Sequence, residues 1–139
     1  MSLGSMLTRK AVTASPTDSL SQVARLMKHE NVGAVIVTQD ETPVGIVTDR
    51  DLAIAVCING ISPDRHVQDV MTCPVSTICD EEGIYSATQK LMENGVRRLP
   101  VVDATGCVVG LVSLDDLLLL LTAELQNLAE GIKAEVGVA

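Results

Sequence analysis

Two short polar segments each combine a hydroxyl group with a carboxylate three residues later. Thr48 precedes Asp51 in this way, and Ser113 precedes Asp116. At the start of a helix, such a pair forms a capping box, which is a purely structural role. The same pair also suits a sugar phosphate, because free N–H groups at a helix start bind phosphate and a carboxylate accepts hydrogen bonds from a sugar diol. Both interpretations stay open on spacing alone.

The charged residues near the two segments differ. Arg50 lies inside the first segment, whereas Asp115 takes the matching place in the second. Arg97 and Arg98 are adjacent on a predicted strand, so their side chains should point to opposite faces. In a functional interpretation one of them reaches a phosphate; in the alternative both are ordinary surface arginines.

The composition argues against several function classes. The 139 residues carry a formal net charge of −8 and a single aromatic side chain, so the basic surface and the stacking rings of nucleic-acid binders are missing. The two histidines are far apart in sequence, and we expect neither a metal site nor a nucleophile–base pair, and hence no enzyme. No apolar run approaches the 18 residues of a membrane span, so we expect no membrane insertion.

The cysteines and the N-terminus indicate the compartment. Cys57, Cys73, Cys79 and Cys107 form no Cys-x-x-Cys pair, and we expect them to be small buried side chains in a reducing environment. The first five residues read as an expression-vector remnant, and no basic-then-apolar signal sequence precedes the domain. We therefore expect a cytoplasmic protein.

The chain contains an internal repeat. Residues 44–52 and 109–117 match at a spacing of 65 residues, with Gly45 corresponding to Gly110. In the functional interpretation these glycines let a ligand approach the backbone closely. Upstream the spacing is 64, so one residue is inserted in a turn, either within 39–43 or within 103–107. The upstream correspondences include Thr8 with Thr72, Leu20 with Ile84, Val32 with Val96, and Val37 with Val101.

Each copy predicts the same order of elements. A short strand (11–14; 75–78) precedes an amphipathic helix, which Ser19 or Asp18 starts and Asn31 ends in the first copy, and which Gly95 ends in the second. Two apolar strands follow (32–38 and 44–48; 99–103 and 108–113), and Thr48 or Ser113 begins a second helix. Continuous Val and Ile runs are typical of strands buried on both faces. The predicted class is α/β (α+β), with two pseudo-twofold-related β-α-β-β-α units packed sheet to sheet around one shared core.

The domain boundaries follow from the repeat. We expect a first unit at 1–66, a second at 67–121 and a C-terminal helical extension at 122–139. Apolar residues continue at helical spacing from Leu117 to Ile132, beyond what the repeat requires. This face either packs on its own domain or forms a homodimer or partner interface.

The repeated segments, in their β-α-β-β context, resemble a tandem pair of CBS (cystathionine β-synthase) domains. Val96-Arg97-Arg98-Leu99-Pro100-Val101-Val102-Asp103 and Asp69-Val70-Met71-Thr72 are also similar to phrases of that family, and the resemblance covers about residues 6–121. It implies two clefts built across the copies and a homodimer. In one cleft, Ser113 and Asp116 face Lys10, Val12, Val32, Gly33 and Ala34. In the other, Thr48 and Asp51 face Pro74, Ser76, Val96, Arg97 and Arg98.

The resemblance implies a stand-alone regulatory module without an obligatory cofactor. Its ligand would be an adenine nucleotide or adenosyl compound (AMP, ADP, ATP, NAD or S-adenosylmethionine), and its effector an unidentified protein. Because Arg50 has Asp115 as its counterpart, we expect the Thr48 cleft to prefer phosphorylated ligands. The more acidic Ser113 cleft would take a neutral or cationic adenosine derivative or stay empty. The alternative is a ligand-free dimerisation or partner-binding scaffold, in which both motifs only cap helices.

Overall fold

The structure, a computed structural model, describes residues 2–6 and 10–137, and the expectations about Thr8 and the last two residues lie outside that part. The helices are α1 Leu3–Met6, α2 Leu20–Glu30, α3 Asp49–Ala53, α4 Ile84–Asn94 and α5 Leu114–Glu135. A π-helical turn (Ile54–Ile58) extends α3, and a 3-10 turn spans Val67–Asp69. The strands are β1 Thr13–Ala14, β2 Ala34–Gln39, β3 Thr42–Thr48, β4 Ile78–Cys79, β5 Arg98–Val102 and β6 Val108–Ser113.

The described residues form two three-stranded sheets of identical topology. In the order β1-β2-β3 and β4-β5-β6, the first pair of strands is parallel and the second antiparallel. The registers also correspond, since Ala34 pairs with Thr48 and Arg98 with Ser113. The predicted pair of β-α-β-β-α units is therefore confirmed, and both hydroxyl–carboxylate segments begin where an outer strand passes into a helix.

The predicted helix ends are confirmed, whereas the first strands are shorter than expected. Ser19 caps α2 in a reciprocal capping box with Gln22, with N–H···O distances of 3.1 and 2.7 Å. Asn31 and Gly95 end α2 and α4 in the left-handed conformation, which satisfies carbonyl groups of the last turn. Strands β1 and β4 keep two residues each.

The buried residues form two clusters, one per unit, so the expectation of one shared core was wrong. Side chains alternate along a strand: Val35 and Val37 join the first cluster, whereas Ala34 and Ile36 are buried outside both. Each sheet therefore has a core of its own under its helices, and we infer that Ile36 and its counterpart Pro100 lie on the faces along which the two sheets pack together.

Short segments cross between the units. Leu3 is 1% exposed and belongs to the second cluster, and its N–H donates to the carbonyl of Glu82 at 2.8 Å. Val67 is fully buried in the first cluster, and Thr72 exchanges two backbone hydrogen bonds with Ile46 of β3. Each core thus contains a segment from beyond the expected boundary at residue 66, while the boundaries themselves stay a prediction.

The C-terminal helix α5 extends far beyond the second core. Leu117 is buried, but Leu118, Leu125, Leu128 and Ile132 are each more than 60% exposed. Among the described helices, none has the length and apolar character needed to cross a membrane.

We predict that Leu3→Ala destabilises the protein. Removing a fully buried leucine side chain should lower the free energy of unfolding by about 2 kcal/mol, the low end of the range for buried leucines, because a terminal segment relaxes easily. Urea denaturation followed by circular dichroism measures the change. Leu119→Ala, at a site 71% exposed, is the control and should leave the midpoint within error. Equal midpoints for both variants would contradict the docking of α1.

Candidate functional site

The two hydroxyl–carboxylate segments have different local structures. At α3, the Thr48 N–H donates to Asp51 Oδ2 at 2.9 Å and the Asp51 N–H donates to Thr48 Oγ1 at 3.2 Å, a complete capping box. At α5, the Asp116 N–H donates to Ser113 Oγ at 3.0 Å, but no described residue donates to the Asp116 carboxylate. Asp51 therefore serves its own helix, whereas Asp116 keeps its acceptor sites open.

A cavity of about 150 Å³ lies beside Ser113 and Asp116. We call it the smaller cavity, because a larger one adjoins it. Its walls come from the chain before β1, the turn from α2 into β2, and the ends of β5 and β6. It brings together the residues expected for this cleft, namely Lys10, Val12, Val32, Gly33 and Ala34 with Ser113 and Asp116, and adds Ala11, Asn31, Arg98 and Leu111.

Arg98 lines a different cavity from the one in which the sequence analysis expected it. It was expected opposite Thr48 and Asp51, but its register with Ser113 brings it into the smaller cavity. Arg97, on the opposite face, pairs with Asp115 at 3.1 Å on the surface. Two cations, Lys10 and Arg98, therefore face one open carboxylate, and the expectation of a more acidic cleft does not fit this geometry.

The second expected cleft is not assembled in the same way. Asp51 lines a separate cavity of about 220 Å³ together with Ile54, Ala55, Asn59, Ile61, Asp69 and Val70. Pro74, Ser76 and Val96 are exposed, and the Ser76 hydroxyl donates to Asn94 Oδ1 at 2.9 Å. Arg50 is exposed on α3.

Gly45 accommodates a side chain of the protein itself. A Cβ atom at this position would lie closer to Met71 Sδ than real contacts allow. Met71 packs against the first core from the segment that crosses between the units. The expectation that this glycine admits a ligand is therefore wrong, because the thioether of Met71 already occupies the space.

A larger cavity, of about 490 Å³, adjoins the smaller one and shares Lys10 and Ala11 with it. The other lining residues are Thr13, Thr38, Glu41, Asp103, Cys107, Val108 and Val109. The sequence analysis missed this cavity. One signal in the sequence pointed to this part of the chain. The one-residue difference between the copies lies in one of the two hairpin turns, 39–43 or 103–107, and these turns contain the lining residues Glu41 and Asp103.

Asp103 shapes the turn between β5 and β6. Its Oδ1 accepts hydrogen bonds from the Thr105 hydroxyl, the Thr105 N–H at 2.9 Å and the Cys107 N–H at 3.1 Å. The hydrogen bond from the Thr105 side chain, followed by the one from the Cys107 backbone, lowers the pKa of Asp103. The carboxylate therefore stays ionised while it holds Cys107 at the cavity wall.

The four cysteines are not buried, so that expectation was wrong. Cys57 and Cys73 are exposed, and Cys79 and Cys107 are partly exposed, all as free thiols. Within residues 2–6 and 10–137, no three His, Cys, Asp or Glu side chains are grouped so that they could hold a metal ion.

Comparison with known proteins identifies the repeat. The family model described as CBS domain matches residues 3–57 and again 67–123. The uncharacterized protein MK0525 of Methanopyrus kandleri is 36% identical over 120 residues, which cover 85% of this chain and 61% of that protein. The chain thus spans less than two thirds of this relative's length.

Two further proteins match over most of their length. The CBS domain-containing protein YhcV of Bacillus subtilis is 33% identical over 111 residues, which cover 80% of this chain and 79% of that protein. The solved structure of the CBS domain protein PAE2072 from Pyrobaculum aerophilum, complexed with AMP, superposes with a TM-score of 0.76 at 25% identity. The match covers 84% of this chain and 89% of that one.

We predict that Asp103→Asn reduces the acid sensitivity of the protein. Because the folded state lowers the pKa of Asp103, its ionised form contributes stability that is fully present above the ordinary value of about 4 and is lost as the pH falls through the lowered value. The midpoint temperature of thermal unfolding should therefore fall less steeply between pH 6 and pH 2.5 in Asp103→Asn than in the parent chain. Asp64→Asn, at another exposed carboxylate, should keep the parental slope. Parallel curves for all three proteins would refute the role of this turn.

Proposed function

The chain belongs to the CBS domain family, and we propose that it is a regulatory module that binds an adenosine-containing ligand such as AMP at the smaller cavity. The observation that carries the proposal is the open carboxylate of Asp116 beside the hydroxyl of Ser113, at the start of a 22-residue helix. A carboxylate with free acceptor sites suits the two hydroxyls of a ribose. The hydroxyl and the helix N-terminus suit a phosphate.

The remaining walls suit the other parts of a nucleotide. Val12, Val32 and Leu111 supply aliphatic surfaces between which an adenine ring fits. Lys10 and Arg98 supply positive charge for a phosphate, and the guanidinium group of Arg98 has several donors in a fixed plane. The Pyrobaculum aerophilum protein was solved with AMP, which supports the same ligand class for this chain.

We propose a regulatory rather than a catalytic role. His29 and His66 are exposed and line neither the smaller nor the larger cavity. Ligand binding would then act on a separate effector protein. The exposed free thiols of Cys57 and Cys73 suit a reducing compartment, which supports a cytoplasmic location.

We also propose that α5 forms a homodimer interface. Leu118, Leu125, Leu128 and Ile132 expose apolar side chains at helical spacing, and such a continuous stripe is costly to leave in water. This stripe also favours the second candidate function, a dimerisation scaffold without a ligand. The binding experiment below separates the two candidates.

We predict that Asp116→Asn weakens AMP binding at least tenfold in isothermal titration calorimetry, because hydrogen bonds to a charged acceptor contribute about 1.5–3 kcal/mol. Asp51→Asn should leave AMP binding unchanged. It should instead lower the free energy of unfolding by about 0.5 kcal/mol, because a neutral amide replaces the charged acceptor at the N-terminus of α3. Similar losses of binding in both variants would contradict the assignment to Asp116. Absence of AMP binding by the parent chain would favour the scaffold.

We predict that Leu125→Glu shifts the protein from dimer to monomer in analytical ultracentrifugation, because a charge in an apolar interface is expensive to bury. The control is Gln126→Glu, which adds the same charge at a polar position of the same helix and should leave the dimer intact. A parent chain that sediments as a monomer at all concentrations would disprove the interface.

A further inference from the structure

The two adjoining cavities differ in size and in charge. The smaller cavity, at about 150 Å³, is below the roughly 300–1,000 Å³ of small-molecule sites, whereas the larger one, at about 490 Å³, lies within that range. Because both are lined by Lys10 and Ala11, a ligand held at the smaller cavity has its nearest free space in the larger one.

The charges change sign from one cavity to the other. Lys10 and Arg98 outnumber Asp116 in the smaller cavity, whereas Glu41 and Asp103 outnumber Lys10 in the larger one. The Asp103 carboxylate already accepts three hydrogen bonds from its own turn, so it contributes charge and few free acceptor sites. No described residue donates to the side chain of Glu41, which leaves this carboxylate as the group that can meet a ligand.

Glu41 is held in place by its backbone. Its carbonyl oxygen accepts a hydrogen bond from the Val108 N–H at 3.0 Å, which ties the β2–β3 turn to β6 of the other unit. Its φ angle of +65° lies in the left-handed region, as does that of its neighbour Asp40 at +52°. A change of the Glu41 side chain therefore leaves the tie between the units intact.

We propose that the larger cavity is a second compartment of the ligand site, and that Glu41 makes it select adenosyl ligands with a positively charged extension over ligands with a polyphosphate extension. This inference rests on the proposed function, since it assumes that the adenosine part binds at the smaller cavity. The anion-binding groups at the smaller cavity suffice for one anionic group. Further phosphates extending into the larger cavity meet the charge of Glu41.

The test compares S-adenosylmethionine with ATP by isothermal titration calorimetry at low salt, where charge effects are least screened. In Glu41→Lys, the preference for S-adenosylmethionine, expressed as the ratio of the two dissociation constants, should fall roughly tenfold, because the charge that faces the extension is reversed. Glu41→Gln, which keeps the side-chain shape, should lower the ratio by about threefold. If Glu41→Lys fails to fold, the ratio measured for Glu41→Gln tests the proposal instead.

Asp40→Lys is the matched control. Asp40 has the same charge and backbone conformation in the same turn, but it lines neither cavity. Its ratio should stay within about twofold of the parent value, since position 40 is exposed outside both cavities, where water weakens the effect of the added charge on the ligand. Equal changes of the ratio for Glu41→Lys and Asp40→Lys would overturn the proposal.

A second readout uses the thiol in the cavity wall. Cys107 lines the larger cavity, whereas Cys57 is exposed outside both. Saturating S-adenosylmethionine should slow iodoacetamide alkylation of Cys107 at least fivefold and leave Cys57 unchanged, as followed by peptide mass spectrometry. Binding without protection of Cys107 would overturn the second compartment alone. Absence of binding by S-adenosylmethionine, ATP and AMP would refute the proposed function and this inference with it.

Discussion

The structure depends on the need to bury both faces of each three-stranded sheet. Helices cover one face of each sheet and form its core, but side chains such as Ile36 and Pro100 on the other face are equally buried. A single unit of this size has no further layer for that second face. Two units packed together solve the problem. A cleft then forms where the chain before β1 of the first unit meets the β6–α5 junction of the second.

The repeat places equivalent motifs at both strand-to-helix junctions. They differ in whether the carboxylate accepts a hydrogen bond from the backbone of its own helix start. The Asp51 carboxylate accepts the Thr48 N–H and so contributes to the stability of α3, by about 0.3–1 kcal/mol, the amount typical of an acidic residue in the first turn. The Asp116 carboxylate makes no such bond among the described residues and faces a cavity. The Thr48 N–H thus occupies one acceptor position of the Asp51 carboxylate, whereas no described residue occupies those of Asp116. The two copies therefore differ in the hydrogen bonding of this carboxylate as well as in the residues that surround it.

The sequence predicted the parts of this arrangement that depend on local pattern. Strands buried on both faces, the cap at Ser19 and the helix ends at Asn31 and Gly95 are properties of short segments, and the structure has them. Which cavity the Arg98 side chain lines depends on the pairing register of β5 with β6, in which Arg98 lies opposite Ser113. The alternation of side chains along one strand does not determine that register. The packing of Met71 over Gly45 and the cavity between the two hairpin turns arise from contacts distant in sequence, so no local pattern reveals them.

The position of Lys10 suggests how occupancy of the site could be transmitted. Lys10 lines both cavities. Helix α1, which precedes it in the sequence, is docked through Leu3 in the core of the second unit, whereas β1, which follows it, belongs to the sheet of the first. A ligand at the proposed site would therefore lie against residues of both units. Only a difference in affinity between two arrangements of the units would change their balance. A free ligand concentration of 100 times the dissociation constant stabilises the arrangement that binds the ligand by about 2.7 kcal/mol. That is comparable to the free energy gained by burying one leucine, so a ligand that favoured an arrangement without the Leu3 contact could offset the loss of that contact.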